Sequence, residues 1–329
     1  MRATVVIPTY DARELLSETL ASLERQTVEH EVVVVDNAST DGTAELLAER
    51  FPRVHAVRSE RNLGFGKAVN LGVAAVATEV VVLVNNDVVC EPVFLERLLE
   101  PLADPSVGMV AGVLLQHDAP GLVDTAGIDV DRTLLSWDAL WNRPVSELDR
   151  AAEPIGPCGG AAAYRTEAFR AVGGFDEAFF AYWEDVDLAL RLRLAGHRCV
   201  RASGARALHH HGQTLGAASP AQRRLQAFGR GFVLGRYREG GDALVRRLQV
   251  AALDWPGLMV HLLVRREAGP LRERLRGLRE GRRRPPLRAP VELATVPVGE
   301  ALRRQWALLA LRATGRLPSH FADRGAKNR

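Results

Sequence analysis

Cysteine is scarce: Cys90, Cys158 and Cys199 are the only three in 329 residues. Their spacing fits no metal pattern and their odd number no disulfide framework, so free thiols in a reducing, cytoplasmic compartment are expected. Long apolar runs are absent as well. Leu248 to Val264, the longest candidate, is interrupted by Asp254, Pro256 and His261, short of the ~18 apolar residues that mark a transmembrane helix. Met1-Arg2-Ala3-Thr4 leads straight into an apolar strand pattern, so no signal peptide is expected. Glycine is missing from the first loop, Pro8-Thr9-Tyr10-Asp11, and with it the Gly-x-Gly-x-x-Gly and Gly-x-x-x-x-Gly-Lys phosphate loops. Gly64-Phe65-Gly66 comes too late in the chain to replace them. A nicotinamide enzyme, a P-loop NTPase and a nucleotidyltransferase are therefore disfavoured.

What is present is a globular composition with an uneven charge. Residues 220–329 carry 24 Lys+Arg against 9 Asp+Glu, whereas residues 1–219 carry 19 against 31. An acidic globular part is joined to a basic tail, and anionic lipid head groups or nucleic acid would match that tail electrostatically.

Residues 3–110 alternate strand and helix patterns. Thr4–Pro8 reads as a buried strand stopped by proline, Glu14–Gln26 as a helix, and Glu31–Asp36 as a second strand ending in an acid. Ser39 or Thr40 is placed to cap a helix over Ala44–Arg50. Val54–Val57 is a short strand, Gly66–Ala77 a small-residue helix, and Val80–Val84 an unbroken apolar run. Such a run, without alternation, suits a strand covered on both faces, so the array implies a mainly parallel sheet between helices. The run ends in Asn85-Asn86-Asp87. Ligands of open α/β sheets sit beyond the carboxyl ends of strands, and a carboxylate with oxygen donors there suits Mg²⁺ or a similar cation. A polar turn with Asp87 as a helix cap is the plainer alternative.

Val6-Ile7-Pro8-Thr9-Tyr10, Val34-Val35-Asp36-Asn37-Ala38-Ser39-Thr40-Asp41-Gly42-Thr43, Arg61-Asn62-Leu63-Gly64-Phe65-Gly66 and Leu83-Val84-Asn85-Asn86-Asp87 resemble the successive motifs of family-2 glycosyltransferases. The likeness continues through Pro157–Arg165, Gly173–Phe180 and Tyr182–Leu188 to His209–Thr214, and is closest to the rhamnosyltransferase-like branch. It implies a GT-A-type Rossmann-like αβα sandwich over residues 1–218, with a nucleotide-sugar half to about residue 110 and an acceptor half beyond. Residues 219–329 form a helical basic extension, in which Arg223–Arg238 and Arg303–Leu317 read as helices. Leu271, Leu275 and Leu278 stripe a third, arginine-rich helix that Pro285-Pro286 ends. This helix either packs back on the catalytic domain or lies on a membrane surface.

The resemblance also implies roles. Asp185 would be the general base and Glu184 would help to place the acceptor; acids crowded at 184, 185 and 187 raise one another's proton affinity. Asp187 reads instead as a helix-dipole acid. Asp87 and Asn85, standing where the family usually has Asp-x-Asp, would hold Mg²⁺ or Mn²⁺ with a histidine, His209 before His210. Tyr10 would stack on the base, Asp36 accept its N–H, and Pro8, Thr9, Arg61, Asn62, Lys67 and Asn86 complete the nucleotide site. Gly159 and Gly160 would back the acceptor, and Trp183 would stack on a sugar face or else fill the core. The implied donor is a nucleotide-diphosphate sugar such as dTDP-rhamnose, with a UDP-hexose or UDP-galactofuranose as alternative. The acceptor is a surface glycan or lipid-linked precursor; peripheral placement on the inner membrane face follows, and no nucleic-acid partner. A non-catalytic carbohydrate- or nucleotide-binding domain would keep Tyr10 and Asp36 without needing Glu184-Asp185.

Overall fold

The computed structural model describes residues 1–210, 219–239, 243–289, 293–297 and 299–304. The chain divides into two compact units, Met1–Asp129 with Trp137–Thr214, and Val130–Ser136 with Leu215–Arg329. Seven residues inside the stretch expected to be wholly catalytic, Val130–Ser136, thus belong to the second unit.

The apolar runs of residues 1–210 become β1 (Ala3–Thr9), β2 (Glu31–Asp36), β3 (His55–Arg58), β4 (Val80–Val84), β5 (Val88–Cys90), β6 (Val107–Gln116), β7 (Ala119–Thr125), β8 (Ile128–Val130), β9 (Ser136–Asp138), β10 (Ala161–Arg165) and β11 (Arg198–His209). The helices between them are α1 (Arg13–Leu23), α2 (Thr43–Arg50), α3 (Phe65–Ala74), α4 (Phe94–Leu99), α5 (Thr166–Ala171) and α6 (Glu184–Leu194). Every residue of β4 is buried, as its unbroken apolar run requires. The central sheet runs β3-β2-β1-β4-β10-β6-β11-β5, with β7 on β6.

Two expectations change here. The sheet is mixed rather than mainly parallel: β1 to β4 pair in parallel, but β10 is antiparallel to both β4 and β6. Among the described residues no α-helix lies between β6 and β10, and a strand that returns without a helical crossover pairs antiparallel. Nor does Pro8 stop β1, which stays in register with β2 through Pro8↔Val35 to Thr9↔Asp36. The fixed φ of proline is compatible with extended backbone.

In the second unit, α7 (Pro220–Arg236) lies against α9 (Gly269–Arg283), with α8 (Ala243–Met259) between them in sequence and β12 (Tyr237–Glu239) paired to β13 (Leu287–Ala289). Ser219 caps α7 by accepting the Gln222 N–H. The two helices touch backbone to backbone. A Cβ on Gly277 would fall 2.0 Å from the Phe228 carbonyl oxygen, and one on Gly231 2.1 Å from that of Arg274. Val130–Ser136 is tied in by polar contacts: Arg230 donates to the Thr133 carbonyl at 2.7 Å and hydroxyl at 3.0 Å. Asp254 in turn pairs with Arg230 at 3.3 Å and Arg274 at 2.9 Å.

Of the stripe expected on α9, Leu271 and Leu278 are half-buried and Leu275 is 46% exposed, whereas Gly277 and Gly281 are the residues buried near α7. The exposed apolar side chains lie instead on α8 and the turn after it, at Leu248 (62%), Trp255 (57%) and Leu263 (66%). The expected helix Arg303–Leu317 lies outside the described residues beyond Arg304. No helix among the described residues is long and apolar enough to cross a membrane.

Candidate active site

The carboxyl ends of β1, β2 and β4 bring Thr9, Asp36 and Asn86 to one edge of the sheet. The Thr9 hydroxyl accepts from Asn86 Nδ2 at 2.9 Å, and its carbonyl accepts the Asn37 N–H at 2.9 Å. Asp36 is buried. Its Oδ1 accepts the Ser39 N–H at 2.8 Å, while Oδ2 has no hydrogen-bond partner among the described residues and stands 3.7 Å from Arg58 Nε. A buried acceptor left open in this way suits a ligand N–H. Tyr10 beside it is exposed, on a loop held by the Asp11 N–H to Ser39 Oγ at 3.0 Å and the Thr40 N–H to Asp11 Oδ1 at 2.7 Å. Ser39 and Thr40 are therefore engaged in this lock and do not cap α2. Gly42 takes the cap position, and Asp41 accepts the Thr43 N–H at 3.2 Å.

Asn37 organises the next loop. Its Nδ2 donates to Asn62 Oδ1 at 3.0 Å and the Gly64 carbonyl at 3.3 Å, and its Oδ1 accepts the Leu63 N–H at 2.8 Å. Asn62 Oδ1 also accepts the Gly64 N–H at 2.9 Å, so this oxygen folds the loop rather than facing a ligand. Gly64 takes left-handed backbone at φ +81°, and a Cβ there would lie 2.2 Å from the Phe180 carbonyl oxygen. The adjoining Phe65 N–H donates to that same oxygen at 2.7 Å, which sets the loop against the segment leading to α6. Arg61 is exposed, and Lys67 Nζ lies 3.7 Å from the Glu177 carboxylate.

Two consecutive non-glycine residues, Tyr182 and Trp183, take left-handed backbone at φ 68° and 76° just before α6. Such conformations cost of order 1–3 kcal/mol each and cluster at functional sites. They turn the chain so that Glu184 and Asp185 open the helix. Asp185 Oδ1 accepts the Val186 N–H at 2.8 Å and Oδ2 the Gly159 N–H at 3.3 Å. Burial raises the proton affinity of Asp185 in spite of these N–H donors. Glu184 is buried, with Oε2 lacking a hydrogen bond among the described residues; burial, and then the charge of Asp185, push its pKa well above the ordinary value. Asp187 behaves differently: wholly buried, it pairs with Arg191 at 2.8 Å and fastens the helix.

Gly160 joins this acid pair to the end of β4. Its carbonyl accepts the Asn85 N–H at 3.3 Å, and a Cβ there would lie 3.0 Å from Asn85 Nδ2. A Cβ on Gly159 would likewise lie 3.0 Å from the ring of Phe65. Trp183, at 6% exposure, is buried, as the core reading of this residue has it. The left-handed turn that aims Glu184 and Asp185 inserts this side chain into the core.

His209, at the end of β11, places Nε2 3.3 Å from Asp87 Oδ1 and Nδ1 2.5 Å from Asp124 Oδ2. Burial disfavours its charged form, but hydrogen bonds to Asp124 and Asp87 prevail and raise its pKa to about 10. The His210 ring stacks on His117 at 3.9 Å and lies 3.3 Å from Glu18; burial and His117 lower its pKa. His211 lies outside the described residues. The carboxylate of Asp87 and the imidazole of His209 are suitable donors for Mn²⁺ or Mg²⁺. No group of three or more His, Cys, Asp or Glu side chains that could hold a metal ion occurs among the described residues, so the protein side of such a site is sparse. Asn37, Arg58 and Asp124 are site residues that sequence reasoning missed. Asp124 alone left a signal, an acid within Leu122-Val123-Asp124, where a buried charge needs a partner.

The family model for glycosyl transferase family 2 matches residues 4–173, and that for the N-terminal domain of galactosyltransferase matches residues 146–213. An N-acetylglucosaminyl-diphospho-decaprenol L-rhamnosyltransferase of Mycobacterium tuberculosis is 30% identical over 240 residues, 64% of this chain and 77% of its own. A solved mannosyltransferase of Pyrobaculum calidifontis, in complex with GDP-Man and Mn²⁺, is similar at a TM-score of 0.54 and 23% identity, over 96% of this chain and 76% of its own. TarS 1-349 of S. aureus, in complex with UDP, is similar at 0.53 and 17% identity, over 96% of this chain and 92% of its own. These two likenesses concern the fold.

Proposed function

Because the chain belongs to glycosyl transferase family 2 and is a sugar-transferring enzyme of GT-A fold, we propose that it acts with inversion, from a nucleotide-diphosphate sugar to a surface glycan or its lipid-linked precursor. The observation that carries this reading is the acid pair opening α6, tied through Gly159 and Gly160 to the Asn85–Asp87 edge. Burial and the charge of Asp185 raise the proton affinity of Glu184 further than burial raises that of Asp185, which makes Asp185 the member that takes the proton of the acceptor hydroxyl. The hydroxyl oxygen then attacks the anomeric carbon from the face opposite the departing diphosphate. Asp36 Oδ2 accepts a base N–H, Tyr10 stacks on the base, and Thr9 and Asn86 hold the floor between them. Pro8, still in register with β2, leads the chain into Thr9 and Tyr10, and Arg61 and Lys67 reach for the phosphates. A Mg²⁺ or Mn²⁺ ion held by Asp87 and His209, with Asn85 beside them, would neutralise charge on the leaving diphosphate.

The donor we favour is dTDP-rhamnose and the acceptor a polyprenyl-diphosphate-linked sugar, in keeping with the name of the 30%-identical relative. A UDP-hexose donor is the second reading, supported by the galactosyltransferase match over residues 146–213. A lipid-linked acceptor would be met at a membrane, and the basic excess and exposed Leu248, Trp255 and Leu263 support a peripheral contact with an anionic inner leaflet. The test is a donor panel with Mn²⁺ or Mg²⁺ and N-acetylglucosaminyl-diphospho-polyprenol, read as nucleoside diphosphate released. Release from dTDP-rhamnose, abolished by Asp185→Asn, is expected. Turnover of no nucleotide sugar, or full turnover by that variant, overturns the proposal.

A further inference from the structure

Asp124 has no part in the reading above, yet it is built into the same edge of the sheet. On β7 it lies between Val123, paired with Leu115, and Thr125, paired with Leu114. Two pairs on β6 that are adjacent thus bracket an extra residue on β7, and Asp124 occupies that bulge. Bulges bend a strand and redirect a side chain, often beside active sites. Here the result is a buried carboxylate in an apolar strand, with Oδ2 2.5 Å from Nδ1 of His209. Asp87 faces the opposite ring nitrogen, Nε2, at 3.3 Å. The two nitrogens are not equivalent. A neutral imidazole binds a cation through the nitrogen without the proton, and the partner of the other nitrogen decides which that is. An ionised carboxylate only accepts hydrogen bonds, so each acid favours a proton on the nitrogen it faces; a cation held by Asp87 would take the place of the Nε2 proton, and Asp124 keeps the one on Nδ1.

We infer that Asp124 is a positioning residue: it fixes His209 as the Nδ1–H tautomer and turns the Nε2 lone pair toward a divalent cation shared with Asp87. The inference rests on the reading of Asp87 and His209 as metal ligands. Asparagine would break the device while nearly keeping its shape, because its NH₂ can donate to Nδ1 and so favour the proton on Nε2.

The test uses the intact chain and a readout other than turnover. Mn²⁺ is titrated into wild type and Asp124→Asn, alone and with saturating dTDP or UDP, following the paramagnetic resonance of the free ion. Affinity about 10- to 100-fold weaker in the variant is expected, the usual effect of losing an outer carboxylate of a metal-bound histidine. In parallel, ¹⁵N NMR of wild type with Mg²⁺ and nucleotide should show His209 protonated on Nδ1. If Asp124→Asn binds Mn²⁺ as tightly as wild type, the inference fails and the metal reading stands. If wild type binds no Mn²⁺ even with nucleotide, both fall together. Should the variant not fold, the NMR measurement decides: a proton on Nε2 of His209 in the metal-loaded protein overturns the inference.

Discussion

Asp185 and Glu184 share one helix start but not one environment, and the difference predicts separable phenotypes. Asp185→Asn should lower kcat by about 10²–10⁴, the usual worth of a general base, while nucleotide affinity by calorimetry stays near wild type. Near-normal turnover would remove Asp185 from the base role. Glu184→Gln reads out through stability. Burial and the neighbouring charge raise its folded-state pKa above the ordinary 4.5, so the folded protein holds that proton more tightly than the unfolded chain. Its contribution is full in acid and is lost as pH rises from 4.5 through the raised value. Glutamine copies the protonated form, so the variant should melt higher than wild type at neutral pH, with the gain vanishing toward pH 4.5. A variant that melts lower at neutral pH contradicts the assignment. At this scale the placement of Asp36, Asp87 and Asp185 was legible, because each stands within a motif, at a strand end, in the turn after a strand or in the first turn of a helix. Asn37 and Asp124 were not, because what they do depends on distant partners: Asp124 meets His209 85 positions away.

Among the elements, α7 and α9 show how closely the second unit is assembled. Their glycines bring backbones together, and a Cβ at 277 would meet the Phe228 carbonyl, an atom that cannot swing aside. Overpacking usually costs about 1–3 kcal/mol, and a clash with backbone falls at or beyond the upper end. Gly277→Ala should therefore lower the urea midpoint clearly, whereas Gly121→Ala, whose Cβ meets nothing within 4 Å, should leave it unchanged. Equal midpoints for both variants would show that α7 and α9 are not packed this closely. Element by element, β1 to β4 were readable because β-branched runs bounded by turns carry their own signal. The reversed β10 was not, since Ala161–Arg165 reads alike in either direction and only the missing crossover helix sets its sense. On α9 the face that meets α7 is built on Gly277 and Gly281, which the leucine spacing does not mark.

For the molecule as a whole, the open question is what the basic excess of residues 220–329 faces. Part of it is spent internally: Arg223 pairs with Glu267, Arg230 and Arg274 with Asp254, and Arg276 with Glu273. With 24 basic against 9 acidic side chains, residues 220–329 keep a net basic charge after such pairing. Each basic residue near an anionic bilayer adds about 1 kcal/mol, so a few suffice for reversible binding. Leu248, Trp255 and Leu263, which are exposed, would supply an apolar anchor that arginine alone does not. Deleting the tail from Pro270 would be a poor test, because it removes α9 and the backbone contact that supports α7. Exposed side chains can be changed without that cost. The intact protein should co-sediment with anionic but not neutral vesicles at low salt and be released at high salt. Leu248→Glu with Trp255→Glu should weaken the binding while leaving the melting temperature unchanged. If wild type ignores anionic vesicles at low salt, the arginines serve the protein itself; if the double variant binds as well as wild type, α8 is not the face that meets lipid.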